Sequence, residues 1–221
     1  MSSHQNQPAA NHPHQGQPLY TAGAPIAQAD AAMILCHGRG ASAQDILTLT
    51  AEFDPGGVAY LAPQAAGAQW YPQRFLAPVA LNEPWLSSAL RWVDELVMEV
   101  GAAGIPIERT VLLGFSQGAC LALEYAARHP QRYGGVIGLS GALIEAGDQP
   151  RVYTGSLAGA SVFLGCSDVD FHVPLARVQR SAAIFRELGA NVTERIYPGM
   201  GHTVNADEVA FISTLLAGLR L

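Results

Sequence analysis

A chain of 221 residues, 49% of them apolar and only 14% charged, has material for one large core and lacks the signature of a disordered polymer. A formal net charge of −6, with no basic run anywhere, argues against nucleic acid or an anionic membrane surface as the main partner. No stretch approaches the roughly 18 uninterrupted apolar residues of a membrane span, and no apolar signal segment opens the chain.

Residues 1–18 are rich in Gln, Asn, His and Pro and read as a disordered polar leader. His4, His12 and His14 within it are taken as solvated, a loose metal site being the weaker reading. From residue 19 to 221 a single domain is expected, in which strand-length apolar runs alternate with helical patterns. A first strand covers 19–24, and a second, 32–36, ends in the loop His37-Gly38-Arg39-Gly40. A helix follows from Ala43 with Ser42 as its N-cap, then a strand at 58–61. The long connection between Pro63 and Pro84 carries Trp70, Tyr71 and Phe75, and its aromatics argue against disorder. Residues 84–100 have an apolar stripe at helical spacing. Strands at 110–113, 136–139, 161–164 and 192–197 alternate with helices at 116–128, 174–187 and 206–219. The fold class is α/β, a doubly wound, mostly parallel sheet of about seven strands.

The chemistry starts at Gly114-Phe115-Ser116-Gln117-Gly118, where the fourth of these main runs turns into a helix. A very sharp turn there strains the serine backbone and leaves no room for side chains two residues to either side. Ser116 is thereby lifted at the carboxyl end of the sheet, where open α/β sheets bind ligands. The next amide, on Gln117, sits at a helix N-terminus and favours developing negative charge. A serine needs an imidazole to take its proton and a carboxylate to orient that imidazole, in the chain order Ser, acid, His.

His4, His12, His14 and His37 precede Ser116; His129 caps a helix end; His172 comes too early to be the base. His202, in Gly199-Met200-Gly201-His202 after the last strand, satisfies the order. Asp168 and Asp170 both lie in the loop where the acid belongs and share a side if that loop is extended, so periodicity leaves them open. Cys36, Cys120 and Cys166 show no CxxC spacing, so neither a disulfide framework nor a zinc site is indicated. Reduced thiols and a cytoplasmic location are the expectation.

Four blocks, Leu35-Cys36-His37-Gly38-Arg39-Gly40, Gly114-Phe115-Ser116-Gln117-Gly118-Ala119, Asp170-Phe171-His172-Val173-Pro174 and Gly199-Met200-Gly201-His202, resemble the phospholipase/carboxylesterase family of α/β-hydrolases. These are small lidless serine esterases that include acyl-protein thioesterases and lysophospholipases. The resemblance implies Ser116 as nucleophile, Asp170 as acid and His202 as base, with the backbone amides of Arg39 and Gln117 as oxyanion hole. Anchoring the acid block on Val173-Pro174 selects Asp170, whereas anchoring on Gly165 selects Asp168; Asp170 is preferred because the proline opens the next helix.

Arg39 stands where the family often has leucine and would bring a positive charge to the rim. Trp70, Tyr71 and Phe75 resemble a loop flanking the acyl pocket in such enzymes, or equally plug the edge of the sheet. The implied function is hydrolysis of short- to medium-chain acyl esters, a small-molecule substrate, with no metal or organic cofactor. Thioesters and lysophospholipids are alternatives at the same site. Lactones are disfavoured because the lactone enzymes resemble a cysteine elbow. A non-catalytic binding module is the competing class. Oligomeric state is left open, a homodimer included.

Overall fold

The apolar runs pair into one seven-stranded sheet in the computed structural model, which describes residues 12–144 and 151–219. In chain order the main elements are β1 (Leu19–Gly23), β2 (Ala31–Cys36), α1 (Ala43–Thr48), α2 (Thr50–Phe53), β3 (Val58–Pro63), α3 (Trp85–Ala102) and β4 (Thr110–Phe115). They continue with α4 (Gln117–Arg128), β5 (Gly135–Leu139), β6 (Ser161–Ser167), α5 (Leu175–Glu187), β7 (Asn191–Tyr197) and α6 (Ala206–Ala217). The strand order is β1-β3-β2-β4-β5-β6-β7; β1 runs antiparallel to β3 and every other pairing is parallel.

Alternation along each strand feeds two cores. Ala32, Ile34 and Cys36 of β2 pack with α3, α4 and α5, while Ala31, Met33 and Leu35 face α1, α2 and α6. Both faces being covered explains why β2 and β3 are buried at every position. Ser42 caps α1 as expected: its Oγ accepts the Asp45 N–H at 3.1 Å while the Asp45 carboxylate accepts the Ser42 N–H at 2.8 Å. The strand expected at 161–164 runs on to Ser167, because β7 pairs with it as far as Ser167 opposite Tyr197. That extension carries the acid loop to the sheet edge.

The leader departs from its expectation. Residues 12–18 lie against the domain, and His14 is buried rather than solvated. Both of its ring nitrogens have hydrogen-bond partners in the domain, and composition could not reveal partners so distant in sequence. The ordered domain therefore begins before residue 19; residues 1–11, with His4, lie outside the described residues. Among the described residues no group of His, Cys, Asp and Glu could hold a metal, and no helix is long and apolar enough to cross a membrane.

The N-cap of α6, Asn205, comes three residues after His202, and Glu208 fixes where the helix starts. Asn205 caps the helix, accepting the Asp207 and Glu208 amides, while Glu208 Oε2 accepts the Asn205 N–H at 3.0 Å. The other carboxyl oxygen of Glu208 has no partner and lies over Gly165, where a Cβ would come within 2.0 Å of it. Burial pushes this carboxyl up from 4.5 to about 7. The native state thus holds a proton that the unfolded chain releases above 4.5, so the stability linked to Glu208 is complete below that pH and is lost as pH rises through about 7. A shift of this size corresponds to roughly 3 kcal/mol. Glu208→Gln is accordingly expected to raise Tm at pH 8 by about 6 °C or more and to change it little at pH 4.5. Thermal melts at the two pH values check it; equal shifts at both would mean that burial of the charge is not the cause.

Candidate active site

The turn from β4 into α4 is as tight as the glycines suggest. A Cβ on Gly114 would fall 2.1 Å from the Gly118 carbonyl oxygen, and one on Gly118 would fall 2.0 Å from that of Cys36. Ser116 between them is held at φ 54° and ψ −117°, a strained conformation for a residue with a side chain. The Ser116 N–H donates to the Leu139 carbonyl at 2.9 Å, pinning the turn to β5. The hydroxyl is left facing out of the sheet.

Three loops bring their polar groups to that hydroxyl. His202 Nε2 lies 2.8 Å from Ser116 Oγ, and His202 Nδ1 lies 2.7 Å from Asp170 Oδ2. A carboxylate can only accept, so the network assigns the ring proton to Nδ1 and leaves Nε2 to accept from the serine. The His202 ring rests against Phe115 and His172, with centroids 5.0 and 4.8 Å away.

Asp170 has a completely buried side chain. Burial pushes its carboxyl up, but hydrogen bonds from His202 and from the His172 and Val173 amides, at 2.7 and 3.0 Å, outweigh burial and hold it below the usual carboxylate range. Asp168 does not reach the ring. Its Oδ1 accepts the Gly199 N–H at 2.8 Å and so ties the acid loop to the loop that carries His202.

The amides of Arg39 and Gln117 flank the same space. Neither makes a backbone–backbone hydrogen bond among the described residues, and Gln117 is the first residue of α4. The Arg39 side chain does more than stand at the rim. Its guanidinium donates to Gln69 Oε1 and to the carbonyls of Tyr71, Pro72 and Gln73, at 2.7–2.9 Å. Gln117 grips the same loop, accepting the Trp70 N–H at 2.9 Å and donating to the Tyr71 carbonyl at 2.7 Å.

A cavity of about 300 Å³ opens beside Ser116, walled by Tyr71, Phe75, Phe115, Cys120 and Val173. Arg74, whose guanidinium donates to the His172 carbonyl, also lines it. Trp70 does not: it is fully buried behind the loop, with its indole N–H donating to the His37 carbonyl at 2.8 Å. All three aromatics expected near a substrate pack in the core, but only Tyr71 and Phe75 also line the cavity.

Two buried histidines outside the sequence expectations support this loop. His37 Nδ1 donates to the Gly38 carbonyl, its Nε2 accepts the Ala65 N–H, and His14 grips the loop from the other side. Burial, resisted in part by backbone hydrogen bonds, pushes both rings toward the neutral form. The three cysteines are free and buried, each thiol pushed up to about 12, above all by burial. Cys120 is accordingly an apolar wall rather than a nucleophile.

A mostly parallel sheet with a strained serine at its strand-to-helix turn, linked through histidine to aspartate, defines an α/β-hydrolase fold. Among the described residues, no separate lid domain interrupts the order of strands and helices. The sequence profile of the phospholipase/carboxylesterase family matches residues 22–219, and the chain belongs to that family. A phospholipase/carboxylesterase from Dyadobacter fermentans is similar in structure, with 40% identity, a TM-score of 0.87 and coverage of 91% of this chain and 96% of that one. Acyl-protein thioesterase 1 of Gibberella zeae is 30% identical over 129 residues, 57% of this chain but only 54% of that protein's length. Acyl-protein thioesterase 2 of Zea mays, at 19% identity and a TM-score of 0.71 over 92% of this chain and 99% of that one, shares the fold.

Proposed function

We propose that the chain is a serine carboxylesterase that hydrolyses short- to medium-chain acyl esters through an acyl-enzyme. The observation that carries this reading is the bridging imidazole, with Nε2 at 2.8 Å from Ser116 Oγ and Nδ1 at 2.7 Å from Asp170. His202 takes the serine proton as Oγ attacks the carbonyl carbon, and Asp170 stabilises the imidazolium that forms. The amides of Arg39 and Gln117 receive the oxyanion, where a single donor is worth about 3–4 kcal/mol. The imidazolium then protonates the leaving alcohol, and water discharges the acyl group with the roles reversed. The strained turn and the helix N-terminus prepare this site before substrate arrives.

A cavity of about 300 Å³ lies at the small end of ligand sites and supports a short acyl group. Acyl thioesters are the second reading, favoured by the relatives named acyl-protein thioesterase; the same attack would expel a thiolate. Two measurements test the proposal together. A fluorophosphonate is expected to attach at Ser116, and a series of aryl esters differing only in acyl length is expected to peak at short or medium chains. Failure of the label to attach at Ser116 would favour a binding module. A matched thioester turned over much faster than the ester would favour the second reading.

A further inference from the structure

We infer that the N-terminal segment 12–18 is a strap that positions the active-site loop, and that His14 is its positioning residue. The inference rests on the esterase reading of the site but comes from a different part of the chain. His14 is 1% exposed, in a segment whose composition is otherwise that of a solvated tail. Its backbone N–H donates to Ser88 Oγ of α3 at 3.0 Å. Its ring lies among Trp70, Trp85 and Trp92, with centroids 5.5, 5.5 and 6.5 Å away. Both ring nitrogens are used: Nδ1 accepts the Ala66 N–H at 3.1 Å, and Nε2 donates to the Trp70 carbonyl at 2.9 Å. The segment is fastened twice more, by Arg91 donating to His12 Nε2 and by the Gln64 N–H donating to the Pro18 carbonyl.

What His14 holds is the backbone of Trp70, and the other side of that residue belongs to the catalytic turn. The Trp70 carbonyl is bonded to His14, while its N–H is bonded to the side chain of Gln117, the residue after the serine. One residue therefore separates the strap from an oxyanion amide, and the next, Tyr71, is a wall of the cavity. Burying an imidazole costs free energy unless both nitrogens are satisfied, and both partners of this ring lie in the active-site loop, while α3 holds only the His14 backbone N–H. The strap thus fixes the distance between the loop and the turn, and with it the depth of the acyl pocket.

His14→Phe tests this in the full chain, because phenylalanine keeps the ring among the tryptophans and removes both ring hydrogen bonds. The expected result is faster amide exchange across residues 64–73, a kcat lowered about tenfold on a short aryl ester with KM changed much less, and a shifted acyl-length preference. A folded variant with wild-type exchange, or with kcat and acyl-length profile both within twofold of wild type, would overturn the inference. Should His14→Phe fail to fold, Ser88→Ala releases only the backbone anchor; unchanged exchange at 64–73 in that variant would overturn it equally. A wild-type chain inert toward esters and fluorophosphonate would sink the esterase reading instead, and the exchange measurement would still decide whether the strap holds the loop.

Discussion

Ser116→Ala is expected to lower kcat on an aryl acetate by on the order of 10⁴ to 10⁶, with Tm within a few degrees of wild type. The size follows from what is lost. Alanine leaves the strained turn, the glycine contacts and the Gln117 amide in place but removes the atom that would bond to the acyl carbon. Residual turnover would come from the oxyanion amides and substrate binding, which can sustain about 10³ to 10⁴ over water without a nucleophile. Stability changes little because Ser116 Oγ is only partly buried and its partner His202 keeps the Asp170 bond. The strain at φ 54° belongs to the backbone and is the same for alanine. Steady-state rates and a thermal melt on the same preparation check both halves. A folded variant that keeps more than a tenth of wild-type kcat is incompatible with serine attack.

Much of this arrangement is legible in one dimension, for local reasons. The cap at Ser42, the apolar run of each strand and the glycine at 114 follow from sterics or hydrogen bonds within a few residues, whereas the glycine at 118 also answers to the Cys36 carbonyl. His202 could be singled out by chain order alone. What could not be read depends on contacts between segments far apart. Asp168 and Asp170 have the same periodicity, and they differ because the amides of His172 and Val173 hold Asp170 Oδ1 and so turn its Oδ2 toward the ring. Trp70 and Tyr71 are neighbours with similar composition cues and both pack in the core, yet only Tyr71 also lines the cavity. His14 had no signal at all, since Trp70 is 56 residues away and Ser88 is 74. The arginine at position 39 read as a rim charge because the carbonyls it grips carry no side-chain identity.

The two aspartates give the second large effect, and the contrast between them is more informative than either alone. Asp170→Asn is expected to lower kcat by about 10⁴, because an amide facing Nδ1 no longer compels the proton onto that nitrogen or stabilises the imidazolium. The buried carboxylate is held in its charged form by three hydrogen bonds, so the substitution removes a charge that the fold is built to keep. Asp168→Asn should behave differently. Asparagine retains an oxygen able to accept the Gly199 N–H, so the loop bearing His202 stays tied and kcat is expected to remain within about fivefold. Asp168→Ala, which breaks that tie, should fall between the two, through looser placement of His202 rather than loss of charge. Assayed side by side on one ester, the three variants separate orientation of the ring from anchorage of its loop. If Asp168→Asn and Asp170→Asn both kept near-wild-type rates, neither carboxylate would serve the imidazole during turnover, however close Asp170 lies to it.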